Sequence, residues 1–183
     1  MRTLFLHHRD DRFESSARVR LRAFAMRGIG HLKRWGLACL VVAFAALWFQ
    51  ARYTLGVNVS PSLAYRVFLI HKGEPPARGD FVAFRWTGGG PYAAGTTFIK
   101  MLAGVPGDEV ARDPQGFHVN GKPVGAPKPF ARTGHPLEPG PTGRIPPNRF
   151  YVQATHPDSL DSRYALTGWI HASQVIGRAD ALF

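Results

Sequence analysis

Apolar positions along the chain follow two rhythms. Residues 35–51, WGLACLVVAFAALWFQA, form one unbroken apolar run without a charged side chain, and Trp35 and Trp48 lie near its ends. Beyond Val57 the apolar residues come instead in short bursts between Gly- and Pro-containing breaks. The long run predicts a helix and the bursts predict strands, since strands are short and helices of this apolarity are not.

The run over 35–51 is at the short limit for crossing a bilayer, and Lys33, Arg34 and Arg52 flank it where their heads can snorkel outward. A cleavable leader is the rival reading. It fits less well, because the basic stretch ahead is long and no small-x-small cleavage site follows before RYTLGVNVS. The expectation is a basic segment over 1–34, a transmembrane anchor over 35–52 and an extracytoplasmic β-rich domain over 53–183. The positive-inside rule puts residues 1–34 in the cytoplasm. Met26 opens a second compact basic flank, MRGIGHLKRW, so residues 1–25 read as an extension without a folded role.

Downstream, YRVFLIHKG and GDFVAFRW are strand-like runs separated by a Gly/Pro turn, and FIKML and DEVAR bracket the turn AGVPGD. GFHVNGKPVG predicts a tight hairpin around Asn120-Gly121, a pair that accepts positive φ. Residues 113–150 hold nine of the fifteen prolines, which predicts an irregular surface segment. RFYVQA and GWIHASQVIGRADALF return to strand character. The expected fold is mostly antiparallel β with one N-terminal helix.

The net charge of +11 invites a nucleic-acid reading, so its distribution matters. Residues 1–34 carry nine Lys and Arg against three acidic residues, whereas residues 53–183 carry 13 against nine. The excess is an N-terminal block beside the anchor, nothing in it resembles a DNA-reading helix pair, and no nucleic-acid partner is expected. The single cysteine, Cys39, lies inside the anchor and supplies neither a disulfide nor an external thiol. The eight histidines show no metal-ligand spacing, and no metal or other cofactor is expected. GGPYAAGTT has the glycines of a phosphate loop, but Thr96 stands where the lysine belongs, so it reads as a hairpin tip. His156 lacks a GxSxG serine to serve and reads as a surface-loop histidine.

Lys100 stands in the middle of the apolar TFIKML. On a strand, Phe98, Lys100 and Leu102 share one face while Ile99 and Met101 share the other. Two readings stay open at this point. Lys100 is either a gatekeeper charge on an exposed edge strand or a buried amine whose desolvation lowers its pKa enough to act as a general base. A base needs a nucleophile, and VNVSPSLAYRVFLI offers Ser60 and Ser62 around the φ-restricting Pro61. One hydroxyl can attack while the other supports a developing oxyanion beside a backbone N–H.

Four segments in order, NVSPSL, RGDFVAF, FIKMLAGVPGDEV and HPDSLDSRYALTG, resemble the type I signal peptidases, the Ser/Lys-dyad leader peptidases of bacterial membranes. The similarity runs over roughly residues 30–183. Within that family the chain looks most like the short conjugative-transfer (TraF-type) peptidases, with Asn58 four residues before Ser62 and no large insertion. The resemblance implies Ser62 as nucleophile and Lys100 as general base. It also implies Ser60 and the Ser62 amide as oxyanion hole, Ser159 as the hydroxyl orienting the lysine, and Asp161 with Arg163 as the supporting pair. One departure is that Ala64 and Tyr65 occupy places where the family usually has proline, which bears on the substrate groove beside Ser62.

The implied function is a membrane-anchored serine endopeptidase that removes leaders from exported precursors, with a pilin precursor of a conjugative system as substrate. Its implied location is the bacterial inner membrane with the catalytic domain outside, and its partners are the precursor, the lipid bilayer and the transfer apparatus. Two alternatives remain: an acyl-transfer enzyme that cyclises the pilin, and a non-enzymatic envelope component. Trp86, Phe84 and Tyr92 are candidates either for the membrane interface or for ordinary core packing.

Overall fold

In the computed structural model, which describes residues 10–183, one α-helix, eleven strands and a single 3-10 turn at Ala172–Gln174 account for the regular structure. The chain divides into two compact units, residues 1–49 and 50–183. The helix α1 runs from Asp10 to Arg52. It is longer than the expected anchor because the basic flank from Asp10 onward continues the same helix. The part expected to be an extension therefore has helical backbone from residue 10 to 25, and residues 1–9 lie outside the described set. Its apolar portion, Lys33–Arg52, is 20 residues long, which is enough to cross a bilayer, and Leu37, Leu40, Val42 and Phe44 there are all exposed.

In the second unit a seven-stranded antiparallel sheet forms from β1 (Tyr53–Val57), β2 (Val67–Lys72), β3 (Phe81–Arg85), β4 (Thr97–Gly104), β9 (Arg149–Gln153), β10 (Ile170–His171) and β11 (Val175–Ala181). Their spatial order is β1-β2-β11-β3-β4-β9-β10. The last strand thus enters the middle of the sheet, pairing with both β2 and β3. Gly177 marks a bulge in it, where an added Cβ would lie 1.8 Å from the His71 carbonyl oxygen, so only glycine lets the strands meet.

A four-stranded sheet follows the turn after β4, in the order β7-β6-β5-β8, from β5 (Glu109–Asp113), β6 (Gly116–Val119), β7 (Lys122–Gly125) and β8 (Gly143–Arg144). The expected hairpin is its β6–β7 pair, with Asn120 at φ 49° and Gly121 at φ 76°. The GVPGD turn between the sheets is organised by Asp108, whose carboxylate accepts from the Val105 N–H at 2.8 Å, Asn120 Nδ2 at 2.8 Å and Arg78 Nη2 at 2.6 Å. Tyr151 of β9 is buried in the cluster of the smaller sheet with Phe117, Val119 and Ile145, so the two sheets share a core wall. Of residues 113–150, expected to be an irregular surface segment, 116–119 and 122–125 instead form β6 and β7, with Phe117, Val119 and Val124 buried. After Gly125 the chain is irregular up to β9 apart from the two-residue β8 and isolated bridges of Phe130 with Pro136 and of Pro139 with Tyr164.

The sequence pattern does not reveal β1. Its one buried position is Gly56, while Leu55 and Val57 are exposed, so no apolar alternation marks it as a strand. Of the aromatics considered for a membrane interface, Phe84 and Trp86 belong to the core, at 0% and 2% exposure. Trp86 stacks on Phe98 at 5.0 Å between ring centroids, while Tyr92 remains half-exposed with its edge against the same ring.

β4 is apolar on both faces. Ile99 packs with Phe68, Ile70 and Ala83, whereas Phe98 and Leu102 pack with Val82, Phe84 and Val152. Although β9 pairs with β4 only from Met101 onward, both faces of β4 are covered and Lys100 within it is 5% exposed, so it is not a charge held in solvent. The gatekeeper reading of the lysine is therefore excluded.

Candidate active site

β4 pairs with β3 along Thr97–Met101, but β9 joins its other side only from Met101. Residues 97–100 therefore present an unpaired edge on that side among the described strands. β1, at the end of the sheet order, pairs only with β2. Three strands separate β1 from β4, yet both line one groove of about 510 Å³, which includes Thr54, Gly56, Val57, Thr97 and Ile99. An added Cβ on Gly56 would lie 2.7 Å from Ile99 Cδ1. The sheet must therefore curl until two unpaired edges face one another, and Gly56 permits the approach.

The groove continues into a second cavity of about 430 Å³, which shares Val57, Thr97 and Ile99 with it. Ser60, Ser62, Lys100 and Ser159 all line this cavity. Three chain segments spread over nearly a hundred residues thus converge there.

Ser60 and Ser62 sit on the loop between β1 and β2. Asn58 closes that loop, donating from its backbone N–H to the Arg66 carbonyl at 2.8 Å and from Nδ2 to the Tyr65 carbonyl at 3.1 Å. The Asn58 Oδ1 faces inward. It lies 3.1 Å from Ser60 Oγ and 3.4 Å from Ser62 Oγ, and it accepts from the Ser60 N–H at 3.3 Å. The two hydroxyls are 2.9 Å apart. In the sequence Asn58 stands out only as a likeness to one subfamily. Its role in arranging both hydroxyls depends on loop closure that spacing alone does not reveal.

Lys100 donates from Nζ to Ser159 Oγ at 2.6 Å, and Ser159 is itself 5% exposed. The ammonium also lies 5.8 Å from the Phe98 ring centroid. Desolvation is the dominant influence on this amine and pushes its pKa down to about 8, with Asp161 pulling upward and Arg163 pushing downward as smaller effects. Ser62 Oγ is turned toward Asn58 and Ser60 instead of toward the lysine. Rotation about its χ1, between staggered wells, is the motion that would aim it elsewhere in the shared cavity.

Ser159 is carried by the loop after β9, and that loop is held from below. Asp161, fully buried, receives Arg163 Nε and Nη2 in a two-pronged pair at 2.8 Å each. The same carboxylate accepts from the Ala154 N–H at 2.9 Å, and Arg163 Nη2 reaches the His156 carbonyl at 3.2 Å. Ser162 completes the frame by accepting from the Val152 N–H at 2.9 Å. A buried ion pair is tolerable when its remaining valences are satisfied, as here, and removal of one partner is costly.

His156, which reads in the sequence as a surface histidine, also lines the cavity and accepts at Nδ1 from the Asp158 N–H at 3.2 Å. Arg132 and Tyr92 reach the same cavity and carry no sequence signal of it, since each stands on a long irregular loop.

Against known proteins, the family model described as "Signal peptidase, peptidase S26" matches residues 29–183. The chain belongs to that signal peptidase family, whose members are serine endopeptidases acting on precursor proteins. Among solved structures it aligns with a crystal structure of a signal peptidase I from Enterococcus faecalis V583, at 22% identity and a TM-score of 0.38, covering 60% of this chain and 98% of that one. The comparison with curated proteins returns no match.

Proposed function

We propose that this chain is a membrane-anchored leader peptidase in which Ser62 is the nucleophile and Lys100 the general base. The observation that carries the reading is a desolvated lysine, hydrogen-bonded to Ser159, in one cavity with a serine on a closed loop. A neutral Lys100 takes the proton from Ser62 Oγ, which attacks the scissile carbonyl. The oxyanion is held by the Ser62 N–H and the Ser60 hydroxyl. Collapse breaks the C–N bond, the lysine gives its proton to the leaving amine, and an ester to Ser62 remains. Lys100 then activates a water that hydrolyses it.

The precursor lies extended between the facing edges of β1 and β4, each of which offers main-chain groups free of strand partners. Membrane anchoring by the helix over 33–52 confines enzyme and precursor to one surface and so raises their effective concentration. The basic flank over 1–34 lies on the cytoplasmic side and the domain over 53–183 on the outer side of the bacterial inner membrane. We take the substrate to be a pilin precursor of a conjugative transfer system.

The test is cleavage of such a precursor by the full-length protein in detergent, beside Ser62→Ala and Lys100→Ala. Both variants should fold and be inactive. Normal cleavage by Lys100→Ala would refute the dyad. The intact mass of the product identifies the acceptor, because a product lighter than the linear chain by one water means ring closure by an amine.

A further inference from the structure

One element beside the cavity has no task in the mechanism above, a small hairpin that rises from the proline-rich segment. Phe130 and Pro136 bridge it, and the Leu137 N–H donates to the Pro129 carbonyl at 2.9 Å. At its tip the Ala131 N–H donates to the His135 carbonyl at 2.8 Å, and the Gly134 N–H to the Ala131 carbonyl at 2.9 Å. Its base is pinned to the loop carrying Ser159, because Lys128 forms an ion pair with Asp158 while the Lys128 N–H donates to Tyr164 Oη at 3.2 Å. The hairpin is thus held in place, and it puts Arg132 at the rim of the cavity that Ser62 and Lys100 line.

Charge at that rim is unbalanced. Asp158 is the acidic residue among those lining the cavity, and its carboxylate is already engaged by Lys128. Arg132 feels Asp158 at longer range but has no hydrogen bond or ion pair of its own among the described residues. An unmatched, solvent-exposed guanidinium on a hairpin held beside the proposed reacting centre selects for a carboxylate, to which its planar fork is matched. Position adds direction. The groove between β1 and β4 opens into the cavity at Val57, Thr97 and Ile99, whereas Arg132 lines it together with His156, Asp158 and Leu160 of the Ser159 loop. A chain laid in the groove therefore enters a cavity that holds the serine, the lysine and the arginine, and the arginine is not among the residues that line the groove itself.

We infer that Arg132 is a specificity residue that recognises an Asp or Glu side chain of the precursor within a few residues of the scissile bond, on the side away from the β1–β4 groove. This role rests on the catalytic reading of Ser62 and Lys100. The precursor class it selects is one with an acidic residue next to the cut.

Peptides spanning a candidate cleavage site, with each flanking position changed in turn to Asp, Asn or Lys, test it. The full-length wild type, Arg132→Gln and Arg132→Glu proteins are compared by kcat/KM. Wild type should prefer Asp over Asn at one position by about fivefold, the scale of an exposed ion pair. Arg132→Gln should lose that preference, Arg132→Glu should turn it toward Lys, and high salt should shrink both effects. A flat wild-type profile, or a preference unchanged in Arg132→Glu, overturns the inference. Binding of the same peptides to Ser62→Ala protein, followed by fluorescence anisotropy, separates the two readings. A charge preference in binding that depends on Arg132, without cleavage by wild type, upholds Arg132 and removes the catalytic reading. Cleavage without any charge preference does the reverse, and neither binding nor cleavage overturns both.

Discussion

Replacing Lys100 by methionine, which has a similar length and no charge, should make the protein more stable near neutral pH. The buried amine has a pKa near 8 against 10.5 for an ordinary lysine. At about 1.4 kcal/mol per unit, that difference means the fold bears about 3 kcal/mol for keeping the amine protonated. The sign follows from proton counting. Below pH 8 the group is charged in both folded and unfolded chains, so the whole cost is present. Between pH 8 and 10.5 the unfolded chain still holds the proton that the folded one has released, and wild-type stability rises relative to a variant that cannot titrate there. Methionine also forfeits the hydrogen bond to Ser159, worth about 1 kcal/mol. At pH 7 the variant should therefore be more stable by about 2 kcal/mol, with the two proteins crossing at roughly pH 9 to 10. Urea unfolding of both full-length proteins in detergent, followed by the fluorescence of buried Trp86, measures the difference at each pH. A Lys100→Met protein less stable than wild type at pH 7, by an amount that does not change with pH, would mean that the amine is not desolvated as described.

Other outcomes are expected from the same geometry. With Lys100 as the proposed base, activity should climb with pH as kcat/KM passes an inflection near 8, because that amine must be neutral to take a proton, falling about tenfold per pH unit below it; a profile flat from pH 6 to 9 contradicts this. Asp161→Asn leaves Arg163 buried without its counter-charge, and denaturant unfolding should show a loss of about 3–5 kcal/mol. In any Asp161→Asn protein that still folds, the activity inflection should also shift to lower pH, since Asp161 pulls the lysine upward. Gly177→Ala drives a Cβ against the His71 carbonyl, a backbone group that cannot swing away, and thermal melting should show a loss of several kcal/mol, of the order of a severe overpacking defect.

Much of the smaller-scale structure is local and legible in the sequence. The β6–β7 hairpin follows from Asn120-Gly121, because positive φ at both positions is a property of those two residues. The strands β2, β3, β4 and β9 are dense enough in apolar and β-branched residues to be read without knowing their partners. β1 is hidden because a strand with a glycine as its only buried residue has no pattern to display. The reach of the helix back to Asp10 is hidden in a different way, by a polar flank with no apolar periodicity. Of the candidate site, residue chemistry points to Lys100 and to Ser60 and Ser62, and the resemblance to type I signal peptidases implies Ser159, Asp161 and Arg163. They say nothing of Asn58 as the acceptor facing both hydroxyls, nor of Arg132 at the rim.

By itself, then, the sequence determined the apolar helix, the β character of the domain after it and the family to which the chain belongs. Each is a matter of composition, short-range pattern or ordered motifs. The tertiary structure decided whether Lys100 is an exposed charge or a buried amine, since the sequence around it fits either reading. Burial depends on what covers the second face of β4, and the covering residues, from Phe68 to Val152, are far away along the chain. The facing of β1 and β4 has the same origin. Curvature accumulates over every strand between them, so the gap where a substrate strand would lie belongs to no single segment.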